Sequence, residues 1–435
     1  MQKKRILLLV LVFVLGREIK AQEKLSLSDA VKIALQNSYD IKLVENTVTV
    51  AKNNNSYGVA GGLPTVSSSL NNNNTQTTIN QTFPDPSRNT TRGGVEGSTV
   101  NGNLTVSMIL FNGFRVAATK NRLESIEKQS IATLQNQMLN TSSIVMQQYY
   151  NVVRQQAFLK TIQKSIEASE QRVAIVKTRQ DVGVANQADV LQSNIDLNAL
   201  IQAKQNQLVV IEQAKADLYN SMVVPVNSNY TFDENIAVDQ NIKMAEVEAK
   251  MKDHPLLQSA QQLINVNQFI EKETRAIMYP TLRANTGYNY NSNQSAAGFI
   301  LLNESYGTFI GVNLALPIYN GGANKRAYNN AKMATQSAKL QLENATLDLN
   351  TELFKTYKNY LNSVQQTPIE QENFKMSQDL LGLVMQKYQL GQATMVDVKQ
   401  AQQSFETAGF RLTTLQFTAK IAEIELKRLS NQLSF

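Results

Sequence analysis

The chain has 435 residues, a formal net charge of +7, no Cys and one His. Disulfides, Cys-ligated metals and thiol nucleophiles are excluded, and a His-built metal or acid–base site has no material. The first 21 residues hold five basic groups and one acid, so the rest carries 37 Lys+Arg against 34 Asp+Glu, too balanced for nucleic-acid binding. The 45 Asn and 41 Gln, about a fifth of the chain, suit surfaces that are wet but carry little field. Catalysis is the weaker class, with no cofactor or metal implied.

Lys3, Lys4 and Arg5 precede the apolar run Ile6 to Gly16, which leads to Ala21 and Gln22. A basic head, about eleven apolar residues and a small residue before the cut read as a signal peptide over residues 1–21. The run is short of the ~20 residues of a membrane anchor. No later stretch is apolar enough for a spanning helix, so a membrane crossing must be made by strands.

Two matching segments, Met108 to Arg115 (MILFNGFR) and Leu316 to Arg326 (LPIYNGGANKR), reveal an internal duplication. Phe111-Asn112-Gly113 lies 208 residues before Tyr319-Asn320-Gly321, as do Tyr149 before Tyr357, Gly183 before Gly391 and Asp189 before Asp397. Upstream the offset is 216, from Leu63-Pro64-Thr65 to Tyr279-Pro280-Thr281. The repeats span residues 22–219 and 242–435, with a linker over 220–241 that contains Pro225.

Each half reads helix, strand, loop, strand, long helix, turn, long helix. The strands are expected near 63–71, 98–111, 280–291 and 306–319. Between the first pair, Asn71 to Gly97 is Asn/Thr/Gly/Pro-rich, without pattern, and reads as a loop. From Val100 to Leu110 and from Ile310 to Ile318, apolar and polar residues alternate, giving one face of each kind. A soluble sheet packed on helices has that pattern too, but polar helices leave it little core; lipid outside and water inside fit better.

From Phe114 to Val182 there is no Gly or Pro in 69 residues, enough for a helix of ~100 Å. Leu134, Met138, Val145, Tyr149 and Val152 form a narrow apolar seam, matched by Val190, Leu197, Ile201, Leu208 and Ile211 on the return, as in a coiled coil. Gly183 and Gly391 mark the tips of two helical hairpins. Thr367-Pro368-Ile369-Glu370 reads as a capping box with Pro at the first helical position, predicting a kink or break. Four strands cannot close a barrel, and open edges in lipid leave backbone groups unpaired. The chain therefore calls for an oligomer, and a conduit favours at least three copies.

The ordered set LPIYNGG, YQLGQATMVDVKQAQ and DHPLLQSA, set within the duplication, resembles the TolC-like outer-membrane efflux protein family over essentially the whole mature chain. The resemblance implies an α+β membrane protein: a homotrimer with one twelve-stranded β-barrel in outer-membrane lipid and a periplasmic α-helical tunnel. It implies partners in a periplasmic adaptor and an inner-membrane efflux or ABC transporter, engaged through tip residues Val182, Gly183, Val184, Leu390, Gly391 and Gln392. Asp397 matches an aspartate of the periplasmic constriction, and Asp189 and Tyr388 match contacts that hold the tip closed. Two departures stand out: Ala393 replaces a basic locking residue, and Gln400 replaces a second acidic ring. Tyr149 and Tyr357 read as seam packing and His254 as a helix-start residue. The terminal Phe435 resembles an outer-membrane assembly signal, although here it follows a helix. The resulting expectation is a passive exit duct for efflux or secretion; the alternative is a secreted trimeric coiled-coil stalk or adhesin without a lumen, which would need no strand hairpins.

Overall fold

The computed structural model describes residues 23–233, 235–296 and 301–433. The expected signal peptide and Phe435 lie outside these residues. Strand β1 (Glu23–Leu25) is followed by α1 (Leu27–Asn37), α2 (Tyr39–Asn54), β2 (Thr65–Gln81), β3 (Thr90–Phe111), α3 (Arg115–Asp181) and α4 (Gln187–Met222). After β4 (Tyr230–Phe232) come α5 (Met244–Met251), α6 (Pro255–Ala276), β5 (Thr281–Ser295), β6 (Leu302–Ala315), α7 (Ala323–Gln389) and α8 (Met395–Leu429). The elements repeat at the sequence offsets: α3 and α7 are both 67 residues long and, like α4 and α8, begin 208 residues apart. None of the described helices is long and apolar enough to cross a membrane.

Two compact units cut across the two sequence halves. One takes residues up to Glu45, Leu134–Pro255 and Thr346 onward; the other takes Asn46–Thr133 and Leu256–Ala345. The first is helical, with a core in which Ala30, Val31 and Ala34 of α1 meet Leu139, Val145 and Val152 of α3, Leu218 and Met222 of α4, and Ile424 of α8. Three-and-four spacing on each helix supplies this apolar stripe. Tyr149 lies in that core, and its hydroxyl donates to the Leu25 carbonyl (3.0 Å) and accepts from the Asp233 N–H (3.1 Å). It thereby pins the parallel pair β1–β4, whose second strand lies within the segment expected to be only a linker. Tyr357 is half-buried, its ring tilted against Tyr360, and it is Tyr360 whose hydroxyl donates to the Asp239 carbonyl. His254 is fully buried directly before α6.

The second unit is organised around an antiparallel sheet in the order β2-β3-β5-β6. The expected loop Asn71 to Gly97 is a correction: β2 runs on to Gln81, β3 starts at Thr90, and the two stay paired from Asn71↔Asn101 to Gln81↔Thr90 with one irregularity near Thr77. Backbone hydrogen bonds build that extension without any apolar alternation. The register puts Val66, Leu70, Leu104, Val106, Tyr288, Ile310 and Val312 on one face, and Asn71, Asn101, Asn103, Asn289, Asn291 and Asn313 on the other. Strands β2 and β6 are the edges, each paired on one side only among the described residues.

The break expected at Thr367–Glu370 is a second correction, because α7 continues through Pro368. Pro368 lacks the N–H that would donate to the Val364 carbonyl, and the helix runs on past it; one turn back, Thr367 Oγ1 donates to the Ser363 carbonyl (2.7 Å). Glu370 caps nothing; its carboxylate accepts from Arg411 Nε of α8 at 2.8 Å.

Candidate functional site

The hairpin tips are built from local backbone demands. At the end of α3, Gly183 takes φ 79°; its N–H donates to the Gln180 carbonyl and the Val184 N–H to the Arg179 carbonyl, both at 2.8 Å. At the end of α7, Gly391 takes φ 76°, with matching bonds from Gly391 to Tyr388 (3.1 Å) and from Gln392 to Lys387 (2.8 Å). This paired pattern is the left-handed helix stop in which glycine avoids a Cβ penalty. The return helices open with capping boxes. Asn186 N–H donates to Asp189 Oδ2 (3.2 Å), and Asp189 N–H donates back to Asn186 Oδ1 (2.9 Å). Thr394 N–H donates to Asp397 Oδ2 (2.7 Å), and Asp397 N–H donates to Thr394 Oγ1 (3.2 Å). Both acids thus hold their own helix starts, and no hydrogen bond or ion pair links one to the other.

The tips carry exposed apolar side chains: Val182, Val184 and Leu390 are 69%, 65% and 73% exposed. Behind them lies a packed cluster of Val176, Val190, Leu381, Met385, Tyr388, Val398 and Phe405, with half-buried Ala393 against it. Tyr388 is buried, and its ring faces the Arg179 guanidinium at 5.0 Å. Arg179 Nη1 also donates to the Tyr388 carbonyl at 3.2 Å. Burial pushes the Tyr388 phenol up; the Arg179 charge opposes this, and the Asp189 carboxylate adds to it. Tyr388 therefore feels Asp189 through its field, while its direct partner is Arg179, which the sequence did not single out.

Asp397 is exposed, and the Thr394 backbone N–H and hydroxyl hold its carboxyl below the usual range. Gln400 is exposed farther along α8, its carbonyl accepting from the Ser404 hydroxyl at 2.9 Å. A further charged group, also missed, ties three helices together. Arg172 of α3 is 1% exposed and donates from Nη2 to Asp196 Oδ2 of α4 at 3.0 Å. Lys399 of α8 reaches Asp196 Oδ1 at 3.1 Å. The available signal was an arginine beside Val173 and at seam spacing from Ser169 and Val176, all of which are buried. Among the described residues no cluster of His, Asp and Glu is able to hold a metal ion.

Comparison with known proteins places these features in context. A family model described as outer membrane efflux protein matches residues 30–223 and 247–432, one segment in each half of the chain. Outer membrane protein TolC of Vibrio cholerae serotype O1 (strain ATCC 39315 / El Tor Inaba N16961) is 22% identical over 320 residues, covering 71% of this chain and 70% of that protein. Outer membrane efflux protein BepC of Brucella suis biovar 1 (strain 1330) is 20% identical over 337 residues, covering 76% of this chain and 72% of that protein. Among solved structures, the Campylobacter jejuni CmeC outer membrane channel has the same fold. Its TM-score is 0.79 at 16% identity, over 94% of this chain and 87% of that one.

Proposed function

The chain belongs to the outer membrane efflux protein family, and from that premise we propose that it is a passive exit duct working as a homotrimer. It is an outer-membrane protein that extends into the periplasm. The observation that carries the reading is the four-stranded sheet, apolar on one face, rich in Asn on the other and unpaired at both edges. In lipid each edge must pair with another copy, and three copies give twelve strands with a water-filled lumen. A lumen-free stalk has no use for such a sheet and is not favoured.

The finer assignments are part of the same proposal. Val182, Gly183, Val184, Leu390, Gly391 and Gln392 dock a periplasmic adaptor, which couples the duct to an inner-membrane efflux or ABC transporter. Support comes from the exposed apolar tip residues, since unpartnered apolar surface marks an interaction site. Asp397 and Gln400 line the periplasmic gate, with Asp189 and Tyr388 holding it. Three Asp397 carboxylates around one axis attract cations, and their mutual repulsion opposes the lowering by Thr394.

Light scattering in detergent and planar-bilayer recording test this reading. A trimer with cation-favouring conductance is expected, and Asp397→Asn should reduce that preference while leaving the trimer intact. A folded monomer that forms no channel refutes the duct.

A further inference from the structure

Within the four paired strands, odd-numbered residues share the polar face from Thr65 to Thr77, Gly97 to Ile109, Thr281 to Ser295 and Asn303 to Ala315. That face consists of amides, hydroxyls and glycines, with a few isolated apolar side chains and a single charged residue, Arg283. Arg283 lies opposite Ile109 on one side and Asn313 on the other, two residues from the start of β5, where the sheet meets its helices. It is exposed, and among the described residues its guanidinium makes no ion pair or hydrogen bond. Strand β5 is interior to the sheet, so Arg283 is not placed to answer an acid on the edge strand of another copy. Its neighbours Leu282 and Ala284 occupy the apolar face, which fixes Arg283 on the polar side.

We propose that Arg283 forms a cationic ring at the helix-side mouth of the barrel, a station that recruits anions into an amide-lined passage. The inference rests on the barrel reading above, because closure of three sheets sets three guanidinium groups around one lumen. Within those ranges no other residue of that face is charged, and Arg92, opposite Ile79 beyond the irregularity at the far end of the sheet, has the same sign, so no carboxylate of the paired strands offsets the ring's field on that face. Rings of Arg are a general device for anion pores. The planar, five-donor guanidinium suits phosphate, sulfate or carboxylate groups on a solute or ion. Loss of the ring affects multivalent anions most, since their attraction scales with charge.

The test is planar-bilayer recording of the purified full-length oligomer, with inorganic tripolyphosphate as the probe. Wild-type channels should be blocked by the probe, more strongly as salt is lowered. Arg283→Gln should weaken the block by roughly tenfold and move the reversal potential toward cations; Arg283→Lys should retain both properties. Asn313→Asp sets a carboxylate directly opposite Arg283 and should weaken the block with the arginine still present, which guards against a folding defect in Arg283→Gln. Unchanged block and reversal potential in Arg283→Gln and Asn313→Asp channels overturn the ring while leaving the duct in place. Wild-type protein that forms no channel overturns the duct, and the ring with it.

Discussion

Substituting the tip glycines separates what the turn needs from what a docking partner needs. Gly183 and Gly391 hold φ 79° and 76°, and a Cβ added at either meets nothing within 4 Å. Alanine therefore costs only the left-handed strain of an L residue, about 1–2 kcal/mol per site. Valine costs more, because its branched Cβ crowds the backbone in that region. Asparagine tolerates the left-handed region, so Gly→Asn adds bulk with little strain. Strain of this size is small beside the packing of two 67-residue helices, and trimer content should stay normal in every variant. If an adaptor approaches the glycine backbone closely, Asn and Val should both lower export of a fluorescent efflux substrate from cells, and adaptor cross-linking should fall in parallel. Normal export by Gly183→Asn and Gly391→Asn, with failure of the Val variants, would assign the glycines to the turn alone. Normal export by the Val double variant would refute the docking assignment.

Tyr149→Phe removes the hydroxyl shared by Leu25 and Asp233; a local cost of about 2 kcal/mol should appear as roughly thirtyfold faster hydrogen exchange in β1 and β4, and unchanged exchange would refute the pinning role. Asp196→Asn leaves the Arg172 guanidinium buried without its carboxylate and should cost about 3–5 kcal/mol, whereas Lys399→Ala, at a half-exposed pair, should cost at most about 1 kcal/mol. Thermal unfolding of the variants, with the Arg172→Met/Asp196→Leu double variant expected near wild type, checks that ordering; equal losses for Asp196→Asn and Lys399→Ala would refute it. Burial, with help from Arg428 and against Glu425, lowers the His254 pKa from 6.5 to about 4. The unfolded chain thus takes up a proton below pH 6.5 that the folded chain refuses, so stability should fall by on the order of 3 kcal/mol between those pH values. His254→Asn should flatten that part of a urea-midpoint profile, and an unaltered profile would show that other groups set it.

The parts of the fold that were legible in the sequence are those with local causes. Gly183 and Gly391 stop helices, because the orphaned backbone groups at a helix end are met by a left-handed residue. The strand cores were legible because Val100 to Met108 alternate. The extension of β2 and β3 was not, because its two faces have one composition: Asn72, Asn74 and Gln76 lie opposite in direction to Asn71, Asn73 and Thr75. Pairing there is written in backbone hydrogen bonds that any residue except Pro supplies. The β1–β4 pair is three residues long and joins segments about 200 positions apart, so no window of sequence contains it. At Pro368 the local signal was present but does not break the helix, since one missing helical bond does not outweigh the packing along a 67-residue helix.

The candidate site divides along the same line. Asp189 and Asp397 were found because they recur 208 residues apart, each six residues beyond a tip glycine. Arg179 and Arg172 were missed because their roles depend on which helix lies beside them: Arg179 serves Tyr388, and Arg172 serves an Asp196 that also receives Lys399. Each contact set joins the first hairpin, α3 and α4, to the second, α7 and α8, inside one chain. The replacement of a basic residue by Ala393 therefore does not leave the hairpins unlinked. The cation that is absent beside the tip turn has counterparts deeper in the helices, where a buried guanidinium and a packed aromatic ring exclude water. A link at that depth is screened less by salt than one on the surface, so the coupling between the hairpins should persist at ionic strengths that erase the field of exposed Asp397.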